Sequence, residues 1–342
     1  MKVQFAETLA DIISVENLLV AWREFSRGKR NKKDVQIFNL RLMNHILSLH
    51  ADLRNGTYQH GPYKHFSISD PKPRDIHKAS VRDRLVHHAL YRKLYPFFDR
   101  VFISDSFSCR LCKGTHPALS RFRRFVCSAS MSHTKTCFAL KCDIRKFFAN
   151  IDHAILFSIL AEYIPDMGIL RLLHGVLKSF SAAREGIGLP LGNLTSQLLV
   201  NVYMNEFDLF VKRKLKVRYY LRFADDFVIL HRDKDRLVKF LSKIAEFLNT
   251  KLKLSLHPDK VSIKTIASGV DFLGWVHFPD HRVLRTSTKR RMFRRLAENP
   301  KEETFTSYLG LLKHGNAYKL RKRVQKDLNE IGSFPMKIFH VE

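Results

Sequence analysis

Apolar positions along this chain alternate between runs of strand length and stripes of helical spacing. Phe138-Ala139-Leu140-Lys141-Cys142-Asp143 is a short apolar run ending in a carboxylate, and it predicts a strand. Asp152 then stands where a cap belongs, before a helix carrying Ile155, Leu156, Ile159, Leu160 and Tyr163, with Pro165 beyond its end. A second helix is predicted from about Asn193 or Thr195, with Leu198, Leu199, Val202, Tyr203 and Phe207 along one side. Two hydrophobic runs meet at Asp225-Asp226 and predict a β-hairpin. A third helix from about Asp235 carries Leu237, Leu241, Ile244 and Leu248, and short strands are predicted at Val261 to Ile263 and from Val270 to Phe278. The order strand, helix, helix, hairpin, helix, strand predicts an α+β fold: a split β-α-β sheet with helices on one face. Such a sheet brings Asp143 and Asp225 together if their strands are neighbours.

Composition narrows the class of partner. Hydrophobic residues make up 45% of the 342 positions, enough for a real core, which excludes a disordered tail. Sixty Lys and Arg against 32 Asp and Glu give a net charge of +28 and point to a polyanion. The basic residues recur from Arg27 to Lys33, Arg121 to Arg124, Lys212 to Lys216 and Arg285 to Arg295, which suits a long track better than a small pocket. No apolar run reaches the roughly eighteen residues of a membrane span, and the N-terminus lacks signal-peptide order, so a cytoplasmic location is expected with no membrane partner. Five cysteines form no disulfide-like framework, and Cys109-x-x-Cys112 has no second pair at zinc-ribbon spacing, which weighs against zinc.

The adjacent carboxylates are the point of chemical interest. Strands disfavour Asp, and like charges beside a buried face cost energy, so Asp225 and Asp226 read either as a solvated turn or as a hairpin tip holding a cation. In-line attack on a phosphate uses two cations ~3.5–4 Å apart, and Mg²⁺ takes oxygen ligands while keeping several waters. Asp143, Asp225 and Asp226 supply enough carboxylate for that. Carboxylates alone would equally build a nuclease or a phosphatase.

Five segments carry a family resemblance. Lys141 to His153, with Asp143 and Phe147-Phe148, resembles the first catalytic motif of bacterial reverse transcriptases. Gly188-Leu189-Pro190-Leu191-Gly192-Asn193-Leu194-Thr195-Ser196-Gln197, continuing through Asn201, Tyr203 and Asp208, resembles the template-and-nucleotide motif. Phe223-Ala224-Asp225-Asp226 matches the aromatic-x-Asp-Asp signature, with Phe where related enzymes often have Tyr. Pro258-Asp259-Lys260 resembles the lysine motif, and Phe272-Leu273-Gly274-Trp275 the primer grip. The five stand in the family's order and cover roughly residues 60 to 320; each alone would be weak.

The resemblance implies a right-hand polymerase fold: an N-terminal extension and fingers, with part of the palm, over residues 1–137, a ferredoxin-like palm with the catalytic carboxylates over 138–284, and a small helical thumb over 285–342. It implies RNA-directed DNA synthesis with two Mg²⁺ ions and deoxynucleoside triphosphates, on template RNA and a cDNA or primer end. Asp143, Asp225 and Asp226 would ligate metal together with the Ile144 carbonyl, Asp225 more directly than Asp226. Phe148 would exclude a 2′-hydroxyl, with Phe147 as the core ring. Arg74, whose fork suits phosphate oxygens, would grip the triphosphate with help from Lys72. Gln197 would contact the nascent pair, Leu191 and Gly192 the template, and Lys260 the departing pyrophosphate. Leu273 and Gly274 would place the primer end. Arg290 with Arg294, and Arg291 with Arg295, form i, i+4 charge stripes that a phosphate backbone would relieve.

Leu191-Gly192-x-x-x-Ser196-Gln197 is similar to the form in diversity-generating retroelement enzymes, where group II intron enzymes typically have Ser-Pro. Asp105 to His116 and Ser307 to Asn316 point the same way, and the Val-Thr-Gly signature of retron enzymes is absent. That resemblance implies a bacterial or phage-encoded enzyme that copies its template with errors at adenines, performs mutagenic retrohoming, and works with a small basic oligomeric accessory protein. The chain also ends soon after the thumb-like tail, so neither an endonuclease nor a long DNA-binding extension is expected. The alternatives are another bacterial reverse transcriptase, group II intron-like or phage-defence associated; a non-catalytic RNA-binding protein with a polymerase fold; and a metal-dependent nuclease.

Overall fold

Four amphipathic helices open the chain: α1 (Leu9–Ile13), α2 (Val15–Ser26), α3 (Lys33–Leu40) and α4 (Leu42–Arg54). An exposed hairpin, β1 (Lys64–Ile68) and β2 (Arg74–Lys78), leads into α5 (Val81–Val101) and α6 (Thr115–Ala129). The middle of the chain supplies β3 (Phe138–Asp143), α7 (His153–Ala161), α8 (Met167–Lys178), α9 (Leu194–Leu209), β4 (Tyr219–Phe223), β5 (Asp226–His231), α10 (Lys234–Leu252) and β6 (Ser262–Thr265). A small sheet of β7 (Val270–Phe272), β8 (Trp275–His277) and β9 (Arg282–Leu284) precedes α11 (Thr286–Glu298), α12 (Glu302–Leu312) and α13 (Tyr318–Gly332). The computed structural model describes residues 3–69 and 73–332, so Lys72 lies outside the described residues.

The main sheet runs β4-β5-β3-β6 with every neighbouring pair antiparallel. Inserting β3 between β5 and β6 produces the split arrangement and makes β3 a neighbour of the hairpin. The expectation of helices on one face is corrected. Leu140, Cys142, Phe227 and Ile229 pack into a core shared with α1–α5 and α7–α10, while the alternating Ala139, Val228 and Leu230 pack into a second core with α6, β7–β9 and α11–α13. The physical reason is in the strands themselves: a sheet covered on both faces reads as an unbroken apolar run, as Phe227 to Leu230 does.

Local chemistry sets the boundaries. Asp152 caps α7 by accepting from the Ile155 amide at 3.0 Å. Asp233, two residues before the predicted start, caps α10 by accepting from the Asp235 and Arg236 amides. The predicted run from Val270 to Phe278 is broken by a turn in which Leu273 (φ 49°) and Gly274 (φ 84°) are both left-handed, as a tight hairpin turn demands.

Candidate active site

The β4–β5 register pairs Phe223 with Asp226, which leaves a two-residue turn of Ala224 and Asp225. Ala224 takes φ 56°, unfavourable for a residue with a Cβ, and so the turn needs support from outside. On the other side of β5, Asp143 is the partner of Asp226 at the end of β3. The ladder continues one step further, with the Ile144 amide donating to the Asp225 carbonyl at 3.1 Å and the His257 amide to the Asp143 carbonyl at 2.7 Å. Three carboxylates are thereby fixed at one sheet end by backbone bonds. Ile144, its side chain buried, runs between them.

Two lysines answer this charge. Lys260 donates to Asp143 Oδ1 at 2.9 Å, and Lys141 Nζ stands 3.6 Å from Asp226 Oδ2. Burial pushes the Asp226 carboxyl up to about 7, with the charges of Asp143 and Asp225 adding and Lys141 opposing. Burial and then Asp143 raise Asp225, against the charges of Lys260 and Arg74. Arg74 itself is exposed near the tip of the β1–β2 hairpin.

Among the described residues no group of three or more His, Cys, Asp or Glu side chains converges on a common metal position. The donor set nonetheless fits a hard divalent cation. It is all oxygen, its groups raise one another's affinity for positive charge, and Asp226 Oδ1 is buried with no hydrogen-bond partner.

The loop before α9 is stitched to its neighbours. Leu189 N–H donates to the Phe148 carbonyl and Gly188 N–H to that of Ile151, both at 2.8 Å. Phe147 is buried, while Phe148 is half-buried and meets it edge-on, ring centroids 5.5 Å apart. The His77 amide of β2 donates to the Leu191 carbonyl at 3.0 Å, and Asn193 Nδ2 returns to the His77 carbonyl at 3.0 Å. Asn193 thus stands at the cap position of α9 but spends its side chain on β2. Gly192 (φ 102°) lies so close to β2 that a Cβ there would sit 2.9 Å from Ile76 Cγ2. Gln197 is half-buried on the first turn of α9.

Leu273 and Gly274 belong to a second group, around β7–β9. The Gly274 carbonyl accepts from the Arg285 amide at 3.1 Å, at the start of α11. Arg290, Arg294 and Arg295 are exposed on that helix and Arg291 is half-buried, opposite the buried Thr288, Met292 and Leu296. The loop after α12 closes onto the same sheet: Arg282 donates to the His314 carbonyl, and a Cβ on Gly315 would fall 2.0 Å from Trp275 Cζ3.

Sequence reasoning missed two residues, Lys141 and Arg222. Arg222 lies wholly buried on β4, two positions before the turn, in a bidentate pair with Asp208 of α9, Nε to Oδ1 and Nη2 to Oδ2 both at 2.8 Å. An arginine inside an apolar strand was the available signal, because a buried guanidinium requires a partner.

The family model for reverse transcriptase (RNA-dependent DNA polymerase) matches residues 68–277, a span that holds all three carboxylates, Lys260 and the β7–β8 turn. Protein YkfC of Escherichia coli K12 is 25% identical over 304 residues, covering 77% of each chain. The group II intron-encoded protein LtrA of Lactococcus lactis subsp. cremoris is 25% identical over 316 residues, covering 72% of this chain and 51% of its own length. A solved structure of apo telomerase from Candida tropicalis, truncated from its C-terminal domain, shares the fold at 12% identity and a TM-score of 0.50, over 71% of this chain and 60% of that one. The chain belongs to the reverse transcriptase family of RNA-dependent DNA polymerases.

Proposed function

We propose that this chain copies a template RNA into cDNA by nucleotidyl transfer at Asp143, Asp225 and Asp226. The observation that carries the reading is that backbone pairing sets all three residues at one end of the β3–β5 ladder, with Lys260 on Asp143 and the charge of Arg74 acting on Asp225. Asp143, Asp225, Asp226 and the Ile144 carbonyl would hold two Mg²⁺ ions, which when bound polarise the attacking and leaving oxygens. Arg74 and Lys72 bind the triphosphate, Phe148 excludes a 2′-hydroxyl, Gln197 contacts the nascent pair, and Lys260 meets the departing pyrophosphate. Residues 1–137, 138–284 and 285–342 serve as extension and fingers, palm, and thumb. Leu191 and Gly192 lie along the template, Leu273 and Gly274 along the primer, and the α11 arginines on phosphate.

The finer reading is a diversity-generating retroelement enzyme with a small basic oligomeric accessory protein, acting in the bacterial cytoplasm. It rests on the Leu191-Gly192-x-x-x-Ser196-Gln197 form. A second reading, a group II intron-like enzyme, is favoured by the similarity to LtrA, of which this chain spans about half the length. Among the described residues no helix is long and apolar enough to cross a membrane.

Primer extension on an RNA template with Mg²⁺, wild type against Asp225→Ala and Asp226→Ala, tests the chemistry. Equal extension by all three rejects the site. Sequencing of the products separates the two biological readings: substitutions concentrated at template adenines support the retroelement enzyme, and an even spread supports its rival.

A further inference from the structure

Arg222 has five N–H donors, and each has an acceptor. Besides the two bonds to Asp208, Nη2 donates to Ser106 Oγ at 3.1 Å, and Nη1 donates to Asn201 Oδ1 at 3.3 Å and to the Ala224 carbonyl at 3.0 Å. The guanidinium therefore joins three segments: α9, the loop around Ser106, and the turn bearing the carboxylates. Its own backbone is held as well, its amide by the Asp105 carbonyl and its carbonyl by the Phe107 amide, both at 3.0 Å.

The bond to Ala224 is the informative one. A strand needs no arginine to stay in a core, since apolar side chains of similar volume do as well or better than a buried ion pair. What an apolar residue cannot do is hold the peptide between Ala224 and Asp225. That peptide follows a residue in the left-handed region and sets the direction in which the Asp225 side chain leaves the backbone. The Asp225 carbonyl is pinned from the other side by Ile144 N–H, so both peptides flanking Asp225 are fixed. Asn201, the partner on Nη1, also donates to the Gln197 carbonyl at 3.3 Å, which links the same guanidinium to the helix turn carrying Gln197.

We propose that Arg222 is a positioning residue for nucleotide addition: it holds the Ala224 peptide against α9 and thereby aims Asp225, through a fork that lysine cannot reproduce. This rests on the assignment of Asp225 as a metal ligand. Asp208 holds the fork in place, with Tyr220 donating to its Oδ1 at 2.6 Å, and Ser106 and Asn201 complete it.

The test compares wild type, Arg222→Lys and Asp225→Ala in single-nucleotide extension, alongside hydrogen exchange of the metal-free proteins in the segments 138–147 and 219–231. Arg222→Lys is expected to lower the maximal rate on the order of 10²-fold per folded molecule, with the dNTP KM changed by less than about threefold. Exchange is expected to accelerate in both segments, including the Ile144 amide. A rate loss that only follows the folded fraction, or unchanged exchange in the hairpin, overturns the proposal. Should Arg222→Lys not fold, Ser106→Ala and Asn201→Ala each remove one partner and keep the Asp208 pair; wild-type rates in both overturn it equally. Asp225→Ala separates the two readings, because full activity there sinks the metal site, whereas an inactive Asp225→Ala beside a fully active Arg222→Lys sinks this inference alone.

Discussion

Asp143 and Asp226 face one another as partners across the β3–β5 ladder, two carboxylates directly opposed on neighbouring strands. Directly opposed like charges destabilise a sheet, so the fold tolerates this pair at a cost. A carboxyl held at about 7 in the folded chain, against an ordinary value of 3.8, binds its proton more tightly folded than unfolded. Its contribution to stability is therefore full below the unfolded value and is lost as pH rises through about 7. Metal-free protein is expected to melt at lower temperature at about pH 8 than at about pH 6, and Asp226→Asn to reduce that difference. Mg²⁺ held as proposed would compete with the proton, so it should raise the melting temperature more at the higher pH. Equal Mg²⁺ effects at both pH values would contradict the account.

Lys260→Ala removes the cation that meets Asp143 at 2.9 Å. The single-turnover rate is expected to fall about 10²-fold, as for loss of a proton donor, with little change in dNTP KM. Rapid-quench measurement decides it; an unchanged rate would leave Lys260 as a counter-ion to Asp143 and no more.

Phe147 and Phe148 should separate cleanly. Phe147→Ala opens a cavity in the core and is expected to cost about 3–5 kcal/mol of stability. Phe148→Ala, at a half-buried ring, should cost less and instead raise incorporation of ribonucleotides relative to deoxynucleotides. Thermal melts and a competition between the two nucleotide types check both, and unaltered sugar discrimination removes Phe148 from the site.

Gly315→Ala drives a methyl into the buried Trp275 ring. Overpacking of this kind costs about 1–3 kcal/mol, and it should release the loop after α12 from β8 and β9. Shorter products from one binding event are expected, with partial rescue by Trp275→Leu in the same chain. Product lengths under a trap that prevents rebinding give the answer.

The elements that were legible are those whose signal is local. Strand β3 and the Asp152 cap follow from the residues they contain, and the aspartates stand in motifs with fixed spacing. Helix α8 escaped notice because Gly168 and Gly175 interrupt its pattern, although Ile169, Leu170, Leu173, Val176 and Leu177 are all buried. The counter-charges were harder still. Lys260 lies 117 positions from Asp143, and Lys141 meets Asp226 only because β3 is inserted beside the hairpin. A partner chosen by sheet order leaves no mark at short range, and so Arg222 stood in the sequence as one cation among 60.

The two bonds between His77 and the loop at Leu191 and Asn193 join the β1–β2 hairpin to the turn that opens α9. The β1–β2 hairpin is exposed along most of its length, so it has little core of its own to resist bending. Arg74 rides near its free end while its base is clasped to the turn that opens α9. On the proposed reading, with Arg74 at the triphosphate and Leu191 and Gly192 at the template, the two groups would share one support, since the strand that carries Arg74 is the strand bonded to the loop before α9.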